Sequence, residues 1–188
     1  MGLKISTIAA LPKNVERDYY LYILDYYNWD EPISNTLRNS FDKIAKFAAE
    51  NDAVVIQGIP ESHFYNELFS WESINGIDPQ EILPALMITT LHPKYFLDAH
   101  NNELKGEIPE DKLIFIELKK VCQNPSDVIN IIEKIMTDIK NKKEIKDFKI
   151  KSKFKKSIGK TLNECIILEP NIGGFGVNIN KIIDNFTK

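Results

Sequence analysis

The chain has 188 residues, 43% of them hydrophobic and 27% charged, and a formal net charge of −3. That length suits one ordinary domain with a hydrophobic core, and the composition sets aside disordered and collagen-like classes. The negative balance offers nucleic acid and acidic membranes no global attraction, and no run approaches the roughly 18 apolar residues of a membrane span.

Residues 1–12 contain a lone Lys4 and a short apolar piece closed by Pro12, less than the charged start and core of a signal peptide. The expected location is therefore the cytoplasm. The segment itself fits either a first strand or a docked arm. Tyr19–Leu24 is dense in aromatic and branched residues and is predicted as a strand. Tyr27–Pro32 is a turn-like connector. Pro32 suits the first turn of a helix, with Asp30 and Glu31 near its positive end, and Leu37, Phe41, Ile44, Ala45, Phe47 and Ala48 continue at helical spacing to Glu50. Ala53–Gln57 is a wholly apolar strand stopped by Gly58-Ile59-Pro60. The pattern is strand–helix–strand, for which a parallel pair is expected. A helix from His63 to about Trp71 places Phe64, Leu68 and Trp71 on one face, and Asn75–Pro79 marks a loop.

Leu83–His92 is apolar on both alternating faces and opened by Pro84, so a strand covered on two sides is predicted. The stretch to Asp111 is polar, with one helical turn expected around Tyr95–Leu97. Leu113–Leu118 is a further strand, and Asn124-Pro125-Ser126-Asp127 opens a helix with Val128, Ile131, Ile132, Ile135 and Ile139 on its apolar face. In Phe148–Lys155 apolar residues alternate with lysine at period two. This predicts a half-exposed edge strand with Phe148 and Phe154 on the face opposite the lysines. Cys165–Leu168 is another strand, followed by the glycine-rich turn Gly173–Gly176.

The order strand, helix, strand, helix, strand, strand, helix over residues 19–140 resembles the thioredoxin-like superfamily. That family places a cis proline just before its third core strand, close to the site at the start of the first helix. Leu83-Pro84-Ala85 stands in that place, and Trp29-Asp30-Glu31-Pro32 lies where the family's Trp-Cys-Gly-Pro-Cys segment would be. The resemblance implies an α/β fold with a thioredoxin-like mixed sheet and flanking helices; with an N-terminal arm this core is expected over residues 1–145, and the strand patterns after it predict a β-rich C-terminal appendage over 146–188 packed on the same core. A flavodoxin-like doubly wound parallel sheet is the alternative, and it requires Leu113–Leu118 to run parallel to the central strand. No cysteine lies near Trp29–Ile33, so the thiolate that attacks a disulfide is missing there and redox exchange is chemically excluded at that site.

By the same resemblance, a surviving site lies between Trp29–Glu31 and Leu83–Pro84. Trp29 offers an aromatic face, Asp30 and Glu31 charge, and together with Pro84 they suit a peptide or a cationic ligand. The competing account is that the acids favour a helix start and Trp29 fills a core edge. His92, Asp98, His100 and Glu103 share one polar loop but match no metal motif. Cys122 and Cys165 belong to no Cys-x-x-Cys pair and read as reduced structural thiols. Gly173–Gly176 lacks the spacing of a phosphate cradle. Lys149, Lys151, Lys153 and Lys155, with Lys156 and Lys160, form the local basic patch, which fits an edge guarded by charge. Arg17 and Arg38 are the chain's arginines, a scarcity that argues against a site built on bidentate arginine recognition.

The expected function is a non-catalytic, redox-inactive protein-interaction or regulatory module of the cytoplasm, with no cofactor or metal and with a protein partner. The alternatives are an enzyme using the loop His92–Glu103 or a phosphorylated ligand near Gly173–Gly176, and nucleic-acid binding through Lys149–Lys160.

Overall fold

The structure is a computed structural model that describes residues 1–12, 14–26, 32–60, 62, 64–70, 77–90, 92–93, 112–141, 148–158 and 161–170. Its elements in chain order are β1 (Gly2–Ile5), a 3₁₀ turn (Ile8–Ala10), β2 (Tyr19–Leu24), α1 (Pro32–Asn39), α2 (Phe41–Glu50) and β3 (Ala53–Gly58). They continue as α3 (Phe64–Phe69), α4 (Pro79–Ile82), β4 (Ala85–Thr89), β5 (Lys112–Glu117), α5 (Leu118–Val121), α6 (Pro125–Lys140), β6 (Phe148–Ile158) and β7 (Thr161–Pro170).

The seven strands among the described residues form one mixed sheet in the order β1-β3-β2-β4-β5-β7-β6. The apolar runs form the middle of this sheet for a simple reason. Every residue of β3 and β4 is buried, so both faces need a cover. Leu21, Ile23, Val55, Leu86, Ile88, Ile114 and Ile116 fill one face beneath Leu37, Phe41 and Ile44 of α1 and α2 and Val128, Ile132 and Ile135 of α6. Tyr20, Tyr22, Val54, Ile56, Met87 and Phe115 fill the other, covered by Ile8 and by Phe64, Leu68 and Phe69 of α3.

Directions within the sheet exclude one of the two expected architectures. β2 and β3 are parallel, as the strand–helix–strand pattern predicts, and β1 adds a parallel four-residue edge. β4 runs antiparallel to both β2 and β5. A doubly wound parallel sheet is therefore overturned; the fold is α/β with a mixed sheet and flanking helices. The peptide bond between Leu83 and Pro84 is cis. β7 joins β5 in parallel and β6 closes the far edge antiparallel to β7, so the C-terminal strands extend the same sheet.

Three local expectations are corrected. The helix predicted from Pro32 to Glu50 is two helices broken at Ser40. Thr36 Oγ1 donates back to the carbonyl of Pro32 at 2.9 Å, a bond that bends helices, and the turn at Ser40 follows it. The loop expected to run to Pro79 ends sooner: Asp78 accepts from the Gln80 amide at 2.8 Å and starts the one-turn α4. In β6 the period-two alternation is interrupted, because the register steps from Ile150 opposite Leu168 to Ser152 opposite Ile167, leaving Lys151 as a bulge. A one-residue slip exchanges the faces, so Phe148 and Phe154 hold positions on opposite faces and the lysines do not share one. Trp71, the turn at Tyr95–Leu97 and Gly173–Gly176 lie outside the described residues. Among the described residues, no helix is long and apolar enough to cross a membrane.

Gly58 marks a close approach between β3 and α3. A Cβ added there would lie 2.5 Å from the Cβ of Phe64, an atom fixed by its own backbone that cannot rotate away. Gly58→Ala is expected to cost about 1–3 kcal/mol and lower the thermal midpoint by several degrees, measured by circular dichroism.

Candidate functional site

β2 and β3 end, and β4 begins, at one end of the sheet, and α1 starts beside them. The pair Leu24 and Ala85 closes the β2–β4 ladder there, so the next residues, Asp25 and Pro84, stand side by side. The main chain is secured at this point, with the Pro84 carbonyl accepting from the Leu118 amide at 3.0 Å and the Leu83 amide donating to the Pro79 carbonyl at 2.9 Å.

Asp25 is buried with its charge compensated from α1. Ser34 Oγ donates to Oδ1 at 2.5 Å, and Arg38 Nη1 donates to Oδ2 at 2.7 Å. Ser34 and Arg38 are four residues apart and so lie on one helix face, which lets a hydroxyl and a guanidinium converge on one carboxylate. Arg38 also donates to Asn35 Oδ1, fixing its planar group. The Arg38 side chain is 21% exposed and that of Asp25 only 1%. Both oxygens of the acid are thus occupied, and the arrangement anchors the first turns of α1 to the end of β2. Next to it Gln57, also buried, occupies the same face at the end of β3, and its Nε2 has no hydrogen-bond partner among the described residues. On the other face Tyr26 meets Tyr65 edge-on, with ring centroids 4.9 Å apart. Burial, helped by Tyr65 and the carboxylate of Asp78, pushes the Tyr26 hydroxyl above its ordinary range and keeps it neutral. Glu117, at the same end of β5, is buried and ion-paired to Lys120.

Comparison with protein-family models, with curated proteins and with solved structures finds no match.

Of the residues singled out in the sequence, Pro84 stands at this end of the sheet, while Trp29, Asp30 and Glu31 lie outside the described residues, between Tyr26 and Pro32. His92 follows the opposite end of β4, where its ring packs edge-on against Tyr20 at 5.4 Å, so it does not join Asp25 and Pro84. Asp98, His100 and Glu103 are outside the described residues. Lys149, Lys151, Lys153 and Lys155 lie on β6 at the far edge, separated from β2 by three strands. At the other end of the helical layer, a cleft of about 320 Å³ opens between the last turns of α2 and α6. Its polar groups serve those helix ends: Lys140 Nζ donates to the Glu50 carbonyl at 2.7 Å and Asn51 Nδ2 to the Phe47 carbonyl at 2.7 Å. Among the described residues, no three His, Cys, Asp or Glu side chains gather as a metal cluster.

The Asp25 constellation was missed by sequence reasoning, although two signals were present. An acid ends an otherwise apolar strand, and one of only two arginines stands on the next helix with a serine one turn earlier. Arginine is the residue suited to pairing with a buried carboxylate, and here it serves the fold's interior.

Cys122 is buried in the core between α5 and α6. Burial, and after it the carboxylate of Asp127, pushes its thiol up to about 12, so the reactive thiolate is absent at neutral pH.

Two predictions follow from these surroundings. Arg38→Met strands the Asp25 charge and is expected to cost toward the lower end of about 3–5 kcal/mol, since Arg38 keeps some solvent contact. Adding Asp25→Asn should recover much of that loss, measured as a double-mutant cycle in urea. For Cys122, the folded chain holds the proton more tightly than the unfolded chain, whose ordinary value is 9.0. The stability this group contributes is fully present below about pH 9 and is lost as pH rises toward about 12. In a Cys165→Ser background, Cys122→Ala should flatten that decline, and iodoacetamide at about pH 8 should alkylate Cys122 only after unfolding.

Proposed function

We propose that the chain is a thioredoxin-like domain without thiol chemistry, a non-catalytic module that docks a peptide segment of a protein partner at the end of the sheet where Pro84 meets Asp25. The observation that carries this reading is the direction of β4: antiparallel to both neighbours and entered directly from Pro84, it starts at the end of the sheet where β2 finishes and where Asp25 is held by Ser34 and Arg38 of α1. The order β1-β3-β2-β4-β5 supports it as well.

Residues 25–38 contain no cysteine, and the acid at the head of α1 is closed off by Ser34 and Arg38. Cys122 is buried and protonated, so no described thiol substitutes for the missing one. What remains is a rigid base of Pro84, Asp25 and α1. The connector Tyr27–Glu31 that joins β2 to α1 brings an indole and two carboxylates, groups suited to an extended peptide bearing a cationic side chain. The work of such a site is binding.

The test uses Trp71→Phe, which leaves Trp29 as the sole indole. Titration with a short extended lysine-containing peptide should shift the Trp29 emission, and Asp30→Asn with Glu31→Gln should weaken binding about tenfold, consistent with the loss of two charge contacts of roughly 0.7 kcal/mol each. No catalysed reduction of insulin disulfides is expected. Turnover in that assay, or peptide binding indifferent to both acids, would overturn the reading.

A further inference from the structure

The sheet's two edges are handled in different ways. β1 is blunted by its length of four residues, a common device against unwanted pairing. β6 ends the sheet on the other side with eleven residues, among them Lys149, Lys151, Lys153, Lys155 and Lys156 and no acid. Among the described residues, only β7 pairs with it.

The existing pairing shows what complement this strand accepts. In the register with β7, Glu169 stands opposite Lys149 and Glu164 opposite Lys155. Lys153 stands opposite Ile166 and Lys156 opposite Asn163, and Lys151 is the bulged residue, so at three lysine positions β7 supplies no acid. Beyond the bulge, Ser152–Ile158 is an unbroken seven-residue ladder. An antiparallel strand directs alternate N–H and C=O groups away from its neighbour, and among the described residues nothing pairs with that side of Ser152–Ile158. A second copy of the chain is a poor occupant, because edge-to-edge pairing of two β6 strands sets lysine against lysine.

We propose that the outer edge of β6, from Ser152 to Ile158, takes up an extended acidic segment of a partner protein as an added strand. Main-chain pairing supplies the affinity, and Lys153 and Lys156, which have no acid opposite them in β7, select for Glu or Asp in the incoming strand. The surface is distinct from the Pro84 end of β4 and from the chemistry proposed there: β2 and β6 are four strand spacings apart, about 19 Å.

The probe is a labelled eight-residue threonine peptide with Glu at its third and sixth positions, the spacing of Lys153 and Lys156 on β6, followed by fluorescence anisotropy, with the amides of Ser152–Ile158 followed by hydrogen exchange. Binding is expected, with slowed exchange along that stretch. Lys153→Glu with Lys156→Glu should weaken it about tenfold, two attractions becoming repulsions, while leaving the circular dichroism spectrum unchanged. The same peptide methylated on alternate backbone nitrogens leaves the protein untouched and should fail to bind in one of its two phases of methylation. Equal binding of both methylated peptides, tighter binding of a twelve-nucleotide single-stranded DNA that displaces the peptide, dimerisation through this edge, or no peptide binding would each overturn the proposal.

Discussion

The structure depends on one strand that is buried on both faces and paired on both sides. No residue of β4 reaches solvent, and it lies between β2 and β5, antiparallel to each. A strand in that position must be apolar at every residue, because neither face offers water to a polar side chain, and Ala85-Leu86-Met87-Ile88-Thr89 meets the requirement with only a terminal threonine as exception. The direction of β4 then determines the rest of the sheet. Running antiparallel, it starts at the end where β2 finishes, so that Pro84 and Asp25 adjoin the last pair of the β2–β4 ladder although they are 59 positions apart in the chain.

That meeting point carries a charge in the interior. Desolvating Asp25 is costly, and the cost is offset only because Ser34 and Arg38 occupy both of its oxygens. A buried ion pair of this kind is weak evidence for net stability, but its geometry is demanding. Arg38 meets Asp25 and Asn35 together only if α1 starts at one height and one rotation relative to β2. The pair thus defines the position of α1, and with it the anchor points of the connector 27–31. The break at Ser40 then lets α2 take a separate course over the sheet, with Phe41, Ile44 and Ala48 on the core.

The sequence made these features legible to different degrees, for physical reasons. β2, β3, β4 and β5 are short continuous apolar runs bounded by turn residues, a local signal that stays valid wherever the strands end up. The helix from Pro125 was equally clear, because its start is locally complete. Asn124 Oδ1 accepts from the Ser126 amide, and Asp127 reaches back to the amides of Gln123 and Asn124. The parallel or antiparallel sense of β4 has no local signature, so the sequence alone could not exclude a wholly parallel sheet, which the register does. The bulge at Lys151 was hidden for the opposite reason: Phe148–Lys155 alternates at period two, broken only by Ser152 at an apolar position, and the slip arises from how β6 meets β7. Asp25 and Arg38 are 13 residues apart across a connector, so neither looks unusual until they meet. Of the expected site, Pro84 is described and Trp29, Asp30 and Glu31 are not.

Net charge is a poor guide to what such a chain can bind. A total of −3 repels an acidic partner only as a diffuse field, screened over about 8 Å at physiological salt. A contact is governed by what lies within that distance. The connector 27–31 holds two acids and no base, whereas β6 holds five lysines and no acid, and three strands separate β2 from β6. At about 4.8 Å per strand spacing, that separation exceeds two screening lengths. Charges at the end of β2 and on β6 are therefore electrostatically independent, so a total of −3 does not forbid a positive edge.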